Sequence, residues 1–195
     1  YKTSQDVFHA LGDGVGKGNV PSILALNRTY TAINTAAKDI RSAMLFDDPQ
    51  QVISFSQKAR DDLKASELAF SNFQALPIPD DETTLVNDYQ VARAQYGSLV
   101  EDILGQVARG TPEGHAAAMG TLFVKGAPTL AALVSSLDQL TAKNQQHVND
   151  ALATSAAQFE QSGRILVGII VGSVLVALAV GYFVAQSIAE PLIGM

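Results

Sequence analysis

The chain has 195 residues, of which 47% are apolar and only 16% are charged, against roughly 25% charged residues in average soluble domains. Its 13 basic and 19 acidic residues give a net charge of −6, which argues strongly against nucleic-acid binding, because a phosphate backbone needs an excess of positive charge. Because the chain contains no cysteine, a disulfide framework, a thiol nucleophile and a zinc–thiolate site are also excluded. Aromatic residues make up 7% of the chain and tryptophan is absent, a composition that favours an all-α fold.

The first predicted helix follows a glycine-rich stretch, Gly12–Gly18, that lacks the spacing of a phosphate-binding loop and is interpreted as a flexible joint. In that helix, apolar residues recur at alternating spacings of three and four. They are Ile23, Leu26, Tyr30, Ile33, Ala37, Ile40 and Met44. This pattern is typical of helices that pack nearly parallel to one another. The helix ends before Asp48-Pro49, where a favoured N-cap residue and a favoured first helical residue start the next one.

Three more helices are predicted. The second has these residues inward: Val52, Phe55, Ala59, Leu63, Phe70 and Phe73. The third follows Asp80–Glu82 and has an apolar seam formed by Leu85, Tyr89, Ala92, Tyr96, Leu99 and Ile103. The fourth begins at Thr111-Pro112, with a kink or a brief break expected at Gly126–Pro128. Short connections between long helices predict an antiparallel up-down-up-down four-helix bundle.

The fourth helix continues into an apolar segment. Ile165–Ala189 is a run of 25 residues without charge, longer than the roughly 20 residues that cross a bilayer as a helix. We therefore predict four parts: a flexible segment 1–20, a bundle 21–163, a transmembrane helix 164–189 and the start of a linker 190–195. The chain begins without an initiator methionine and ends soon after the span, so we expect a fragment of a longer protein.

Polar residues form a second stripe on the first helix, about 90° from the apolar seam. Its members are Asn27, Thr31, Asn34, Lys38 and Arg41. Arg28, Thr35 and Asp39 fall on a further, outer face, so Asp39 is not expected to pair with Arg41. A stripe of this kind beside a core seam suits contact with a second subunit or with a small anion.

Arg41 lies closest to the edge of the core, where a planar guanidinium can hold a carboxylate through two hydrogen bonds. We therefore predict a site for a small organic anion such as a carboxylate. Its residues are Arg41, Lys38 and Asn34 on the first helix, with Thr121, Lys125 and Thr129 of the fourth helix as the opposite wall. For Lys38 and Asn34, an ordinary solvated helix face is an equally open interpretation.

Other chemistry finds little support in the sequence. His9, His115 and His147 are isolated and lack the spacing of metal ligands, so no metal and no cofactor are expected. A Gly-x-Ser-x-Gly turn is absent, and no strand is predicted that would present one. The carboxylates of Asp80–Glu82 are interpreted as charge at a helix N-terminus rather than as an acid/base pair. We therefore expect that the protein is not an enzyme.

The order of a helical bundle, an apolar span and a short tail resembles the organisation of a known family of receptors. The predicted span is followed by the residues Ser187-Ile188-Ala189-Glu190-Pro191-Leu192-Ile193-Gly194-Met195. This tail is similar to the opening of a HAMP linker, and Asp39–Ala43 followed by Asp47–Pro49 resembles the end of the first helix in the sensing domains of methyl-accepting chemotaxis proteins. From about residue 20, the chain resembles the ligand-binding domain and second transmembrane helix of such a chemoreceptor.

The resemblance implies a periplasmic bundle, a bacterial inner-membrane location and a homodimer. It also implies a first span before Tyr1 and a cytoplasmic signalling region, with its protein partners, after Met195. In aspartate- and serine-sensing members, several arginines of the first helix and polar side chains of the fourth hold the ligand. Arg41 matches the last of those arginines, whereas alanines stand near the other positions, at Ala32 and Ala37. This departure speaks against amino-acid specificity.

Two other interpretations stay open at this point. The same input architecture serves sensor histidine kinases and cyclases, which only the sequence after Met195 distinguishes from a chemoreceptor. A membrane-tethered structural bundle that binds no small molecule is the alternative from another class.

Overall fold

The computed structural model describes residues 20–193, with side chains up to residue 157 and for part of 160–173. Within this range there are five helices and no strand. They are α1 (Val20–Leu45), α2 (Pro49–Gln74), α3 (Thr83–Val107), α4 (Pro112–Thr121) and α5 (Ala127–Ile193). A 3₁₀ turn, Asp80–Glu82, precedes α3, and a π-helical segment, Leu122–Gly126, joins α4 to α5. The predicted all-α bundle is confirmed, with α4, the π segment and α5 together forming its fourth helix.

The helix starts at Pro49 and Pro112 are set by local chemistry, as predicted. Asp48 Oδ1 accepts a hydrogen bond from the Gln50 amide at 3.1 Å. Thr111 Oγ1 accepts one from the Gly114 amide at 3.1 Å. In both helices proline occupies the first turn, where its missing N–H leaves no intrahelical bond unmade.

The core runs along the bundle, with α1 and α2 approaching each other most closely. Small buried residues explain this approach, because they recur every seven positions on α1 and also occur on the facing side of α2. These residues are Ser22, Thr29, Ala36 and Ala43 on α1, and Ala59 and Ser66 on α2. The helix α3 packs mainly on α4 and α5. The bundle therefore consists of two helical hairpins.

The close packing of α1 on α2 corrects two sequence-based expectations. Asp39, predicted on an outer face, is only 8% exposed, and Tyr30, predicted in the apolar seam, is 42% exposed. The buried face of α1 is rotated towards α2, because the small residues beside the seam allow close contact there. Burial raises the pKa of Asp62 on α2, and the negative charges of Asp39 and Asp61 act in the same direction.

The expected kink in the fourth helix takes the form of the π segment. The amide of Ala127 donates to the Leu122 carbonyl, five residues back. In an α-helix the carbonyl of Val124 would accept from residue 128, but Pro128 has no N–H to give. The wider π turn accommodates this loss without ending the helix.

Beyond the bundle, α5 extends without interruption to Ile193. The backbone of the predicted span, 164–189, is therefore helical, but most of its side chains lie outside the described residues. Within the described residues, the stretch Pro112–Ala157 is long and apolar enough to cross a membrane by length and composition. Because Leu133, Leu137 and Leu140 in it are fully buried in the core, we assign it to the bundle. Residues 1–19 and 194–195, with the glycine-rich stretch and the end of the predicted linker, lie outside the described residues.

Candidate functional site

A half-open cavity of about 500 Å³ lies between α1, α3 and the fourth helix. It is near the end of the bundle at which α1 turns into α2. Arg41 and Met44 line it from α1, Tyr96 from α3, and Phe123 from the π segment. Its volume falls within the range of roughly 300–1,000 Å³ that is usual for small-molecule sites.

Arg41 is the only charged residue among the described residues that line this cavity. Its side chain is exposed, and it makes no hydrogen bond or ion pair with any residue that the structure describes. Burial raises the pKa of the Tyr96 hydroxyl to about 12, and the positive charge of Arg41 acts in the opposite direction. The positive charge of Arg41 therefore acts on the Tyr96 hydroxyl at the cavity wall.

The other residues predicted on α1 do not line the cavity. Lys38 is exposed, and Asn34 donates its amide to the Tyr30 carbonyl on the same helix at 3.0 Å. Both lie along the polar stripe, as expected from helical geometry, but of that stripe only Arg41 is among the residues that line the cavity.

The predicted opposite wall is also arranged differently. The Thr121 hydroxyl lies 3.3 Å from Gln106 Oε1 on α3, so it faces α3 and not α1. The Thr129 hydroxyl donates to the Lys125 carbonyl at 2.7 Å, a common local bond that occupies its proton. The Lys125 side chain is exposed, and none of these three residues lines the cavity. Of the six predicted site residues, the structure places only Arg41 there.

Sequence reasoning missed the apolar part of the site. Leu45 is 80% exposed, Phe123 66% and Met119 44%, and all three line the cavity. Met119 and Phe123 are one helical turn apart, a spacing that places them on one face. Large apolar residues beside a predicted irregularity of the helix were the signal that was available.

A second group of polar residues lies at the other end of the bundle, where α3 begins. Glu82 is fully buried, and its Oε2 accepts a hydrogen bond from the Asn144 amide at 3.0 Å. His147 Nδ1 is 3.1 Å from Glu82 Oε1, and His147 Nε2 is 3.3 Å from Asp81 Oδ2. Lys143 Nζ forms an ion pair with the same Asp81 oxygen at 2.8 Å. We call these five residues the Glu82 cluster.

The cluster corrects the expectation that His147 is isolated and that Asp81 and Glu82 serve only as charge at a helix N-terminus. Burial raises the pKa of Glu82, and the hydrogen bond from Asn144 opposes that effect. The hydrogen bond from Lys143 lowers the pKa of Asp81. No group of three or more histidine, aspartate or glutamate residues within the described part of the chain is arranged to hold a metal ion.

Comparison with known proteins decides the family. A family model described as Tar ligand binding domain homologue, TarH, matches residues 14–148, more than two thirds of the chain. The chain belongs to this family. The TarH match makes it a ligand-binding domain of the chemoreceptor type, a sensory and non-catalytic class. No curated protein and no solved structure matches the chain.

The matched range contains the whole of α1 to α4 and the first part of α5. Both the cavity beside Arg41 and the Glu82 cluster therefore belong to the TarH domain. The cavity lies where α1 ends and the fourth helix begins, and it has the one unpaired cation among its described lining residues.

Proposed function

We propose that this TarH domain senses a small organic anion, a carboxylate, that binds in the cavity with its charged group on Arg41. The observation that supports this proposal is the unpaired guanidinium at the edge of a largely apolar cavity. A planar guanidinium can hold a carboxylate through two charge-assisted hydrogen bonds, and the apolar cavity wall on one side of Arg41 reduces the screening of such a pair by water.

We also propose that the domain is periplasmic, forms a homodimer and is anchored in the bacterial inner membrane by residues 164–189. The continuous helix α5 supports the link, because it runs from the cavity into that segment. The polar stripe on α1, which includes Thr31 and Lys38, remains exposed and is free to contact a second copy. Residues 190–195 would then begin the linker to a cytoplasmic signalling region.

Calorimetric titration of the full chain in lipid nanodiscs tests the proposal, with acetate, succinate, aspartate and 4-methylpentanoate as probes. Nanodiscs are preferable to detergent, because detergent molecules can enter an apolar cavity. A charge-assisted hydrogen bond contributes about 1.5–3 kcal/mol. We therefore expect Arg41→Ala to weaken binding of the tightest probe by about tenfold to a hundredfold.

Two further variants make this test specific. Arg41→Lys is expected to recover only part of the affinity, since a point charge cannot reproduce the planar fork. Arg28→Ala is the matched control, because Arg28 is an exposed arginine of the same helix that does not line the cavity. Equal affinities of the unaltered chain and Arg41→Ala would overturn the proposed site.

A further inference from the structure

We infer that the ligand of this cavity is an amphipathic monocarboxylate with an apolar body and no ammonium group. The inference rests on the proposed function, because it takes the ion pair with Arg41 as given. Beyond the proposed function, the inference states which chemical class of carboxylate fits the remaining, apolar part of the cavity.

The cavity lining offers little to a polar ligand body. Apart from Arg41 and the Tyr96 hydroxyl, the described side chains that line it are apolar. Leu45, Met119 and Phe123 present large exposed apolar surfaces there, and a ligand that covers them removes this surface from water, which favours binding. A second carboxylate on the ligand would lose its hydration without gaining a second cation among the described lining residues.

An α-amino acid is disfavoured for a related reason. Its ammonium group carries three donors and a positive charge that need acceptors. No aspartate or glutamate is among the described residues that line the cavity, and the charge that they do supply, on Arg41, would repel the ammonium. A carboxylate with the same carbon skeleton and no amine avoids both the unpaired ammonium donors and the repulsion by Arg41.

The π segment supplies an independent structural reason to expect a ligand here. Leu122, Phe123 and Gly126 of that segment line the cavity, and π turns inside helices are frequent at functional sites. A Cβ on Gly126 would lie 3.0 Å from Leu122 Cδ1 and 3.7 Å from Ile103 Cδ1. Glycine therefore lets the segment pack against α3 without displacing Leu122 from the cavity wall.

The first experiment measures the affinity of the full chain in nanodiscs for acetate, butyrate, hexanoate and octanoate. Burial of each methylene group is expected to tighten binding by about fourfold until the cavity is filled. The second compares 4-methylpentanoate with leucine, which has the same skeleton and an added ammonium group. We expect 4-methylpentanoate to bind at least about tenfold more tightly.

A matched pair of variants locates the apolar body. Ala131 lines the cavity, whereas its neighbour Ala132 does not, and both side chains are exposed on α5. Ala131→Leu fills part of the cavity and is expected to weaken octanoate by at least tenfold while acetate changes little. Ala132→Leu is expected to leave both affinities unchanged.

The outcomes separate this inference from the proposed function. Arg41-dependent binding of acetate, succinate or aspartate without any gain along the chain-length series overturns the inference and leaves the proposed function standing. Leucine that binds as tightly as 4-methylpentanoate does the same. No binding of any of these carboxylates, or binding indifferent to Arg41→Ala, overturns both.

Discussion

The amide of Asn144 on α5 donates to the buried carboxylate of Glu82, 62 residues earlier in the chain, at 3.0 Å. The same amide also donates to the Leu140 carbonyl at 3.1 Å. Because Glu82 directly precedes α3, this bond fixes the start of α3 against α5 at the end of the bundle away from the cavity.

Asn144→Ala is expected to destabilise the chain by about 1–3 kcal/mol, because it leaves the buried carboxyl group of Glu82 without its hydrogen-bond donor. Urea denaturation followed by circular dichroism measures the loss. Asn149→Ala is the matched control, since Asn149 is exposed on the same helix and gains the same helix propensity. Equal midpoints for the two variants would contradict a structural role of the Asn144 amide.

Glu82→Gln is expected to change how stability depends on pH. Burial raises the pKa of Glu82 above its ordinary value of 4.5, so the folded state binds this proton more tightly than the unfolded state. Its contribution to stability is therefore fully present below pH 4.5 and is lost as pH rises through the raised folded pKa. Thermal denaturation between pH 4 and 7 should show a smaller decline with rising pH in Glu82→Gln than in the unaltered chain.

The neighbouring groups decide the control for this pH experiment. His147 faces both Glu82 and Asp81. Further charged groups at the cluster are Lys143 and Asp150, whose negative charge acts on Lys143. The pKa of Asp81 is lowered from its ordinary value of 3.8, so Asp81 changes its charge below the interval from pH 4 to 7 that this experiment covers. Repeating the comparison in a His147→Gln background removes the imidazole that contacts Glu82 and Asp81, and parallel curves there would refute the assignment to Glu82.

The sequence predicts those parts of the fold that depend on local chemistry. Two helix starts were predicted to within one residue, from the N-caps Asp48 and Thr111 and the proline that follows each of them. This was possible because an N-cap depends only on residues that are neighbours along the chain. The irregularity at Pro128 was also predicted, since a missing N–H acts on its own helix. Its form as a π segment was not, because a missing N–H is compatible with a kink, a break or a wider turn.

The remaining features depend on contacts between distant residues. The Glu82 cluster joins Asp81 to His147 across 66 positions, a relationship that spacing along one helix cannot reveal. Asp39 was misplaced for a similar reason, since the closeness of α2 decides how wide the buried face of α1 becomes. The place of Arg41 at the edge of the apolar seam follows from the geometry of one helix, whereas the apolar cavity beside it forms only where three elements meet.

Pro128→Ala restores the amide that the π segment lacks, so the fourth helix is expected to become regular there. Stability should rise or stay unchanged, because the helix interior gains a hydrogen bond and a better helix former. Hexanoate binding should weaken, since Leu122 and Phe123 would turn relative to the cavity. Differential scanning calorimetry and calorimetric titration measure the two effects.

Pro112→Ala provides the control for that variant. Pro112 lies in the first turn of α4, where the missing N–H has no intrahelical partner, so hexanoate affinity should not change. A Pro128→Ala chain with undiminished affinity would show that the π segment does not shape the cavity.

The proposed dimer predicts a cross-link on α1. The chain has no native cysteine, so a single Thr31→Cys on the exposed polar stripe should form a disulfide-linked dimer when the full chain in nanodiscs is oxidised. Ser71→Cys, exposed on α2, is the control and should remain monomeric. Cross-linking of Ser71→Cys but not of Thr31→Cys on a non-reducing gel would place the interface on α2.

Because α5 is long and uninterrupted, a small change in its tilt at one end moves its other end by a larger distance. Its 67 residues extend for roughly 100 Å at 1.5 Å per residue. A tilt of about one degree at the cavity end therefore moves the far end sideways by roughly 1.7 Å, as much as the helix shifts found in known switches. Under the proposed function, a ligand whose binding tilts α5 by this amount at the cavity would therefore move Ile193 by more than an ångström.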